Sequence, residues 1–251
     1  MNNQVKKTKL IIINVVLFIL VPLFFFVGYK AYVILSEYIK AALEYREIQD
    51  IAIDELGTDE KNGTSIVIDF TKLEEINPEI VGWIRFEEPK VINYPIVQGK
   101  DNQKYLTSTF EGAENGAGCI YMDANNSGDF SDRNTFIYGH YKKNGHMFGA
   151  LGKYKRSDYY EKHPYFDIYT PSGEKNTYQI FAVTVVESSS ETYKKVYVND
   201  EEYKNYVQML QKLSLYETGV EVMGDSHIVS LSTCTNVRIE ERLVIHGVKI
   251  N

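Results

Sequence analysis

The chain has 251 residues, 44% of them hydrophobic and 24% charged, with a formal net charge of -7. That composition is globular rather than disordered, and an acidic balance with no basic stripe to offset it argues against a nucleic-acid partner. Two cysteines, Cys119 and Cys234, are too few for an all-cysteine metal site or a disulfide framework, and leave room for one disulfide at most.

Residues 1–9 carry Lys6, Lys7 and Lys9, and residues 10–28 that follow hold no charged side chain and are almost wholly apolar. About 20 such residues cross the hydrocarbon core of a bilayer as a helix, and Pro is tolerated within one, so Pro22 does not count against it. Residues 10–28 are therefore predicted as a transmembrane anchor. The lysines before it place residues 1–9 in the cytoplasm and the rest of the chain outside. The competing reading is a cleaved signal peptide, whose apolar core is about 7–15 residues and ends at a small-residue site. Here the run is longer, and Tyr29, Lys30, Ala31 and Tyr32 offer no such site.

Helical character continues over residues 30–56, where the stretch 37–48 repeats its apolar residues at three and four. A polar, glycine-containing break at 57–64 ends it. Residues 29–64 are thus expected to form a helical stalk or linker, and residues 65–251 the main domain. From there the pattern turns to short strands at 65–70, 81–86, 92–97, 118–122, 135–139, 165–170, 177–186, 227–233 and 242–250, separated by turn residues. One clear helix, 200–215, repeats Tyr203, Tyr206, Val207, Leu210 and Leu213 at helical spacing, and shorter helical turns fall at 73–76, 102–107 and 148–153. Many strands and few helices make the domain mainly β, a closed barrel or a sandwich.

The chemistry concentrates at Cys234, which ends an apolar strand, and at Arg242 eight residues later on the return strand. A thiol attacks as its thiolate and needs a base or a positive charge beside it. A second apolar strand runs through Tyr138 and Gly139 into His140, where a loop begins, which makes His140 a candidate partner for Cys234. Cys119 is read as a small buried hydrophobe. His146, His163, His227 and His246 are read as structural or exposed, with His146 the nearest competitor to His140. The acidic loop 123–132, with Asp123, Asp129 and Asp132, superficially matches calcium-binding spacing but lacks the closing glutamate. It is read as a solvated loop, and neither a metal nor another cofactor is expected.

Leu231-Ser232-Thr233-Cys234, Arg242 downstream, Tyr138-Gly139-His140 upstream and the N-terminal anchor together resemble the sortases, most closely class B, from residue 65 to the C-terminus. The helix before the cysteine strand and the segments 101–106 and 118–123 fit the same class. The resemblance implies an eight-stranded sortase β-barrel and a membrane-anchored cysteine transpeptidase. Such an enzyme cleaves a C-terminal sorting signal, of Asn-Pro-x-Thr or similar type, on a secreted protein. It holds the new C-terminus as a thioester and passes it to an amine of the lipid-linked cell-wall precursor or of peptidoglycan.

By position, the resemblance implies that Cys234 is the nucleophile and His140 the general acid and base. Arg242 binds substrate and stabilises the oxyanion, in preference to Arg238 in the same loop. Asn102, Leu106, Tyr197 and Ser232 are implied as substrate contacts. One departure stands out: class B members can carry aspartate two residues after the cysteine, and this chain has Asn236, so no carboxylate from that position orients the imidazole. Two rival readings are a thiol hydrolase that uses water as acceptor and a non-enzymatic, membrane-tethered β-barrel that binds ligands.

Overall fold

A computed structural model describes residues 2–59, 63–235 and 237–251 of the chain, which divides into two compact units, Met1–Leu43 and Glu44–Asn251. The first unit is helical. Helix α1, Asn2–Ala52, begins there, with Pro22 inside it and its apolar side chains turned outward, Phe18 being 81% exposed. Among the described residues it is the one helix long and apolar enough to cross a bilayer.

The second unit takes in the last turns of α1. Tyr45, Ile48 and Ala52 are buried at three-and-four spacing. The Tyr45 ring meets Tyr94 edge-on at 5.3 Å, and its hydroxyl donates to the Gly118 carbonyl at 2.7 Å. Gln49 donates to the Asn93 carbonyl at 2.7 Å. Residues 44–52, expected in a stalk, therefore share a compact unit with the strands. The helix also stops four residues short of Leu56. Ile53–Asp59 forms strand β1 and pairs antiparallel with β2, Gly63–Ile68, outside the barrel. The acidic, glycine-containing run of β1 has little strand propensity of its own; its partner strand supplies the pairing. Helix α2, Phe70–Ile76, follows, capped by the Asp69 carboxylate accepting from the Lys72 amide at 3.1 Å.

Eight strands then close a barrel. They are β3 Ile80–Arg85, β4 Asn93–Val97, β5 Ile120–Met122, β6 Asn134–Tyr138, β7 Tyr165–Tyr169, β8 Lys175–Glu187, β9 Ile228–Cys234 and β10 Glu241–Lys249, in the order β10-β8-β7-β3-β4-β5-β6-β9. Each matches one of the predicted strands within a few residues, and the closure leaves no strand edge unpaired. Pairs β4/β5 and β6/β9 are parallel and the others antiparallel. Ile84, Ile96, Ile137, Ile180, Leu231 and Val244 are fully buried.

A short α3, Ser157–Tyr160, precedes β7, and α4, Asp200–Leu213, covers the barrel wall. The α4 stripe of Tyr203, Tyr206, Val207 and Leu210 packs on Phe181, Ala182, Ile228 and Val248. Asn199 caps the helix, its side chain accepting from the Glu202 amide at 2.9 Å, and three acidic residues in the first turn complement the helix dipole. On β10, His246 is fully buried, with Nδ1 2.8 Å from the Ser230 hydroxyl and Nε2 3.3 Å from that of Thr184. Burial pushes its pKa down to about 3, so it is a neutral core histidine.

Candidate active site

The parallel pairing of β6 with β9 sets Tyr138 opposite Ser232, and the Gly139 amide donates to the Ser232 carbonyl at 3.2 Å. His140 and Cys234 each lie two residues further on, so the two strands deliver an imidazole and a thiol to the same end of the barrel. Strand β10 returns antiparallel with Arg242 directly opposite Cys234. Residues opposed in this way turn their side chains to the same face, with Cβ atoms about 4.5–5.5 Å apart. All three groups line one cleft of about 460 Å³.

Cys234 is a free thiol and partly exposed. Cys119 is also free but wholly buried, and burial pushes its thiol up to about 12, which leaves it inert. The His140 ring is partly buried, and that burial lowers its pKa below the ordinary value. Its Nε2 lies 2.7 Å from the Leu106 carbonyl. A carbonyl only accepts, so in the neutral ring Nε2 carries the proton and Nδ1 the lone pair. Asn236 lies outside the described residues. Among the described residues, the hydrogen-bond partner of the imidazole is a main-chain carbonyl from residue 106. His146 stands apart from this cleft, its Nδ1 3.5 Å from the Tyr94 hydroxyl.

The Arg242 Nη1 donates to the Ile239 carbonyl at 2.7 Å and to the Glu241 carbonyl at 3.1 Å. Nε and Nη2 have no acceptor among the described residues. Arg238 is exposed and lines no part of the cleft.

Close approach to His140 depends on Gly118. It has φ +64, and a Cβ there would lie 2.9 Å from His140 Cδ2 and 2.7 Å from the Tyr105 carbonyl oxygen. Gly118→Ala is expected to lower turnover by roughly 10- to 100-fold, the penalty for misplacing a reacting group by a fraction of an ångström to about 1 Å. It should also lower the melting temperature, because a left-handed backbone strains an alanine. Peptide cleavage assays and thermal melts check both; wild-type turnover would contradict the role given to this contact.

Asn102, Leu106 and Ser232 all line the cleft. The Asn102 side chain accepts from the Ala124 amide at 2.8 Å and donates to Asp123 at 3.1 Å, while the Ser232 hydroxyl lies 2.8 Å from that of Tyr193. Tyr197 is not brought to the cleft. Its ring packs on Tyr203 and Tyr206 at 4.9 and 5.1 Å, and its hydroxyl donates to the Lys194 carbonyl at 2.8 Å. Tyr193, four residues earlier, takes the lining position, with Lys195 beside it. Neither had a sequence signal, because the connection from β8 to α4 is aperiodic.

The acidic loop is solvated at Asp129 but differs from that reading at Asp123. Asp123 is 1% exposed and accepts from Tyr138 at 2.9 Å, from Asn102 and from Lys195. Burial alone would raise its pKa, but Lys195, the Asn125 amide and Tyr138 outweigh it and hold the carboxyl below its ordinary value. Asp132 and Asp129 accept from the Ser127 and Ser131 amides at 2.6 and 3.0 Å. Among the described residues, no group of His, Cys, Asp or Glu is arranged to hold a metal.

A sortase-domain family model matches residues 85–250. Sortase B of Listeria monocytogenes is 36% identical over 182 residues, which cover 70% of this chain and 71% of that protein. The crystal structure of sortase B from Bacillus anthracis in complex with AAEK1 superposes with a TM-score of 0.75 at 32% identity, over 87% of this chain and 100% of that one. The Staphylococcus aureus sortase B–substrate complex superposes with a TM-score of 0.68 at 30% identity, over 72% of this chain and 84% of that one.

Proposed function

The chain belongs to class B of the sortase family, cysteine transpeptidases that act on proteins bearing a sorting signal, and from that premise we propose that Cys234, His140 and Arg242 carry its chemistry. The observation that supports this most is the meeting, in one cleft, of a free, partly exposed thiol with an imidazole and a guanidinium drawn from three different strands or strand ends.

The Cys234 sulfur gives its proton to His140 and attacks the scissile carbonyl. Negative charge builds on the carbonyl oxygen, where the unused Arg242 donors stabilise it. The C–N bond breaks as the imidazolium protonates the leaving amine, and a thioester remains on Cys234. An acceptor amine then attacks that carbonyl, the C–N bond forms and the C–S bond breaks. The amine's proton passes through His140 back to sulfur. Nδ1 is the nitrogen that moves these protons, since Nε2 is held by Leu106. The resting imidazole is neutral, as its lowered pKa favours.

The donors are secreted proteins with a C-terminal sorting signal. The acceptor is an amine of the lipid-linked peptidoglycan precursor or of the cell wall. The N-terminus is cytoplasmic and the barrel extracellular, a reading supported by Lys6, Lys7 and Lys9 ahead of the apolar helix. Asn102, Leu106, Ser232 and Tyr193 contact the sorting signal. Incubating the full-length chain in detergent with an Asn-Pro-x-Thr-type peptide, with and without triglycine, should yield the hydrolysed fragment alone in one case and an amide product in the other. Hydrolysis alone with every amine tried would favour the hydrolase reading instead.

A further inference from the structure

A second cleft, of about 530 Å³, also ends at Cys234, and among the described residues Cys234 is the one that lines both. The turn that follows His140 and the short helix Gly149–Lys155 form much of its wall. Among the described residues, its charged lining residues are Lys143, Lys153 and Lys155, and no Asp or Glu lines it. None of the three lysines joins a salt bridge among the described residues. In a chain of net charge -7 this is a local reversal of sign in a cleft that Cys234 also lines.

Resting on the transpeptidase reading of Cys234, we propose that this lysine-lined cleft is an acceptor subsite that selects amines carrying an anionic group, a phosphate or a carboxylate. A two-step transfer brings a second substrate to the thioester while the acyl chain of the first fills the cleft beside Arg242 and Tyr193. The second cleft reaches Cys234 and, among the described residues, shares no other wall residue with the first. His140 lies at the junction: it lines the first cleft, and the next residue, Tyr141, lines the second. Clustered positive charge in a concave site draws anions. Ammonium groups on flexible stems suit a phosphate or carboxylate as point charges, without demanding the planar fork of an arginine site. The same field disfavours the protonated form of a nearby amine and so favours the free amine that must attack.

The test uses the full-length chain in detergent, an Asn-Pro-x-Thr-type donor peptide and three acceptors: triglycine with its carboxylate, triglycine amide, and triglycyl phosphoethanolamine. The readout is the ratio of amide product to hydrolysis product. Both anionic acceptors should be used at roughly tenfold lower concentration than the neutral amide, the scale of a charge-assisted contact. That advantage should shrink with added salt. It should vanish when Lys143→Gln, Lys153→Gln and Lys155→Gln are combined, and survive in Lys204→Gln on the exposed face of α4. Preference for the phosphate assigns the lysines to a phosphate-bearing precursor, and preference for the carboxylate to a peptide end; each supports the subsite. Equal use of all three acceptors by the unmodified chain, or an advantage that persists in a triple variant melting like the wild type, overturns it. Donor-fragment release without any acceptor tests the thioester reading separately. No release at all defeats that reading, whereas release without charge preference defeats only the subsite.

Discussion

Cys234→Ala is expected to abolish both cleavage and transfer, while Cys119→Ala keeps most of each. Removing the nucleophile of a covalent mechanism costs on the order of 10⁴-fold or more in rate, above about 5 kcal/mol of barrier. Among the described residues no other thiol lines the cleft. Arg242 stays protonated and cannot attack. The hydroxyl of Ser232 is turned to Tyr193 at 2.8 Å. Cys119 is fully buried with its thiol pushed up to about 12, so at neutral pH it is neither reachable nor ionised. Its truncation should act on stability, by about 1 kcal/mol for a small buried side chain, and leave turnover intact. Mass spectrometry of the chain with its peptide should find the acyl adduct on the tryptic fragment containing Cys234. Activity retained by the Cys234→Ala variant, or an adduct on Cys119, would overturn the assignment.

The two halves of the site differ in how far they can be read from sequence. Cys234 and Arg242 flank a short connection between two apolar strands, and a hairpin of that kind puts its ends side by side. The pairing of residue 234 with residue 242 follows from that local geometry. His140 is another matter. It reaches Cys234 only because β6 and β9, far apart in the chain, run parallel with Tyr138 opposite Ser232. No periodicity encodes that long-range register; the strand end at His140 made it a candidate, and the resemblance to sortases gave it its role. Its orienting contact was beyond reach altogether, since a main-chain carbonyl at Leu106 has no side-chain signature.

The same division explains the differences in the fold. The eight barrel strands and α4 show through their own apolar periods. Residues 44–52 do too, as helix, but which face is buried depends on Tyr94 and Gly118, which the helix meets only in the folded chain. Strand β1 is drawn into pairing by β2 rather than by its own residues. Tyr197 and Tyr193 are both tyrosines in one aperiodic connection. The neighbouring Tyr203 and Tyr206 of α4 capture the first, and Ser232 engages the second. Asp123 looked solvated because its ligands, Tyr138, Asn102 and Lys195, arrive from three separate segments.

Arg242→Lys, a change that keeps the charge, is expected to lower turnover by about 10²–10³-fold, or about 3–4 kcal/mol of transition-state stabilisation. The guanidinium does two things at once. Nη1 is anchored to the carbonyls of Ile239 and Glu241 at 2.7 and 3.1 Å. That anchor leaves Nε and Nη2 without an acceptor among the described residues, on a side chain that lines the cleft. A lysine presents a single nitrogen on a flexible stem. If it satisfies the two carbonyls it withdraws from the cleft, and if it enters the cleft it abandons the anchor. Charge without geometry attracts a peptide but does not hold a donor where the oxyanion forms. The loss should therefore fall mainly on kcat, with a smaller change in KM, because the interaction strengthens only as negative charge develops. Stability should change little, since the residue is partly exposed at the end of β10. Arg238→Lys, in the exposed connection away from the cleft, should leave both constants near their starting values. Comparing steady-state kinetics of the two variants separates a positioned guanidinium from a diffuse positive charge: near-normal kcat for Arg242→Lys would reduce Arg242 to the latter.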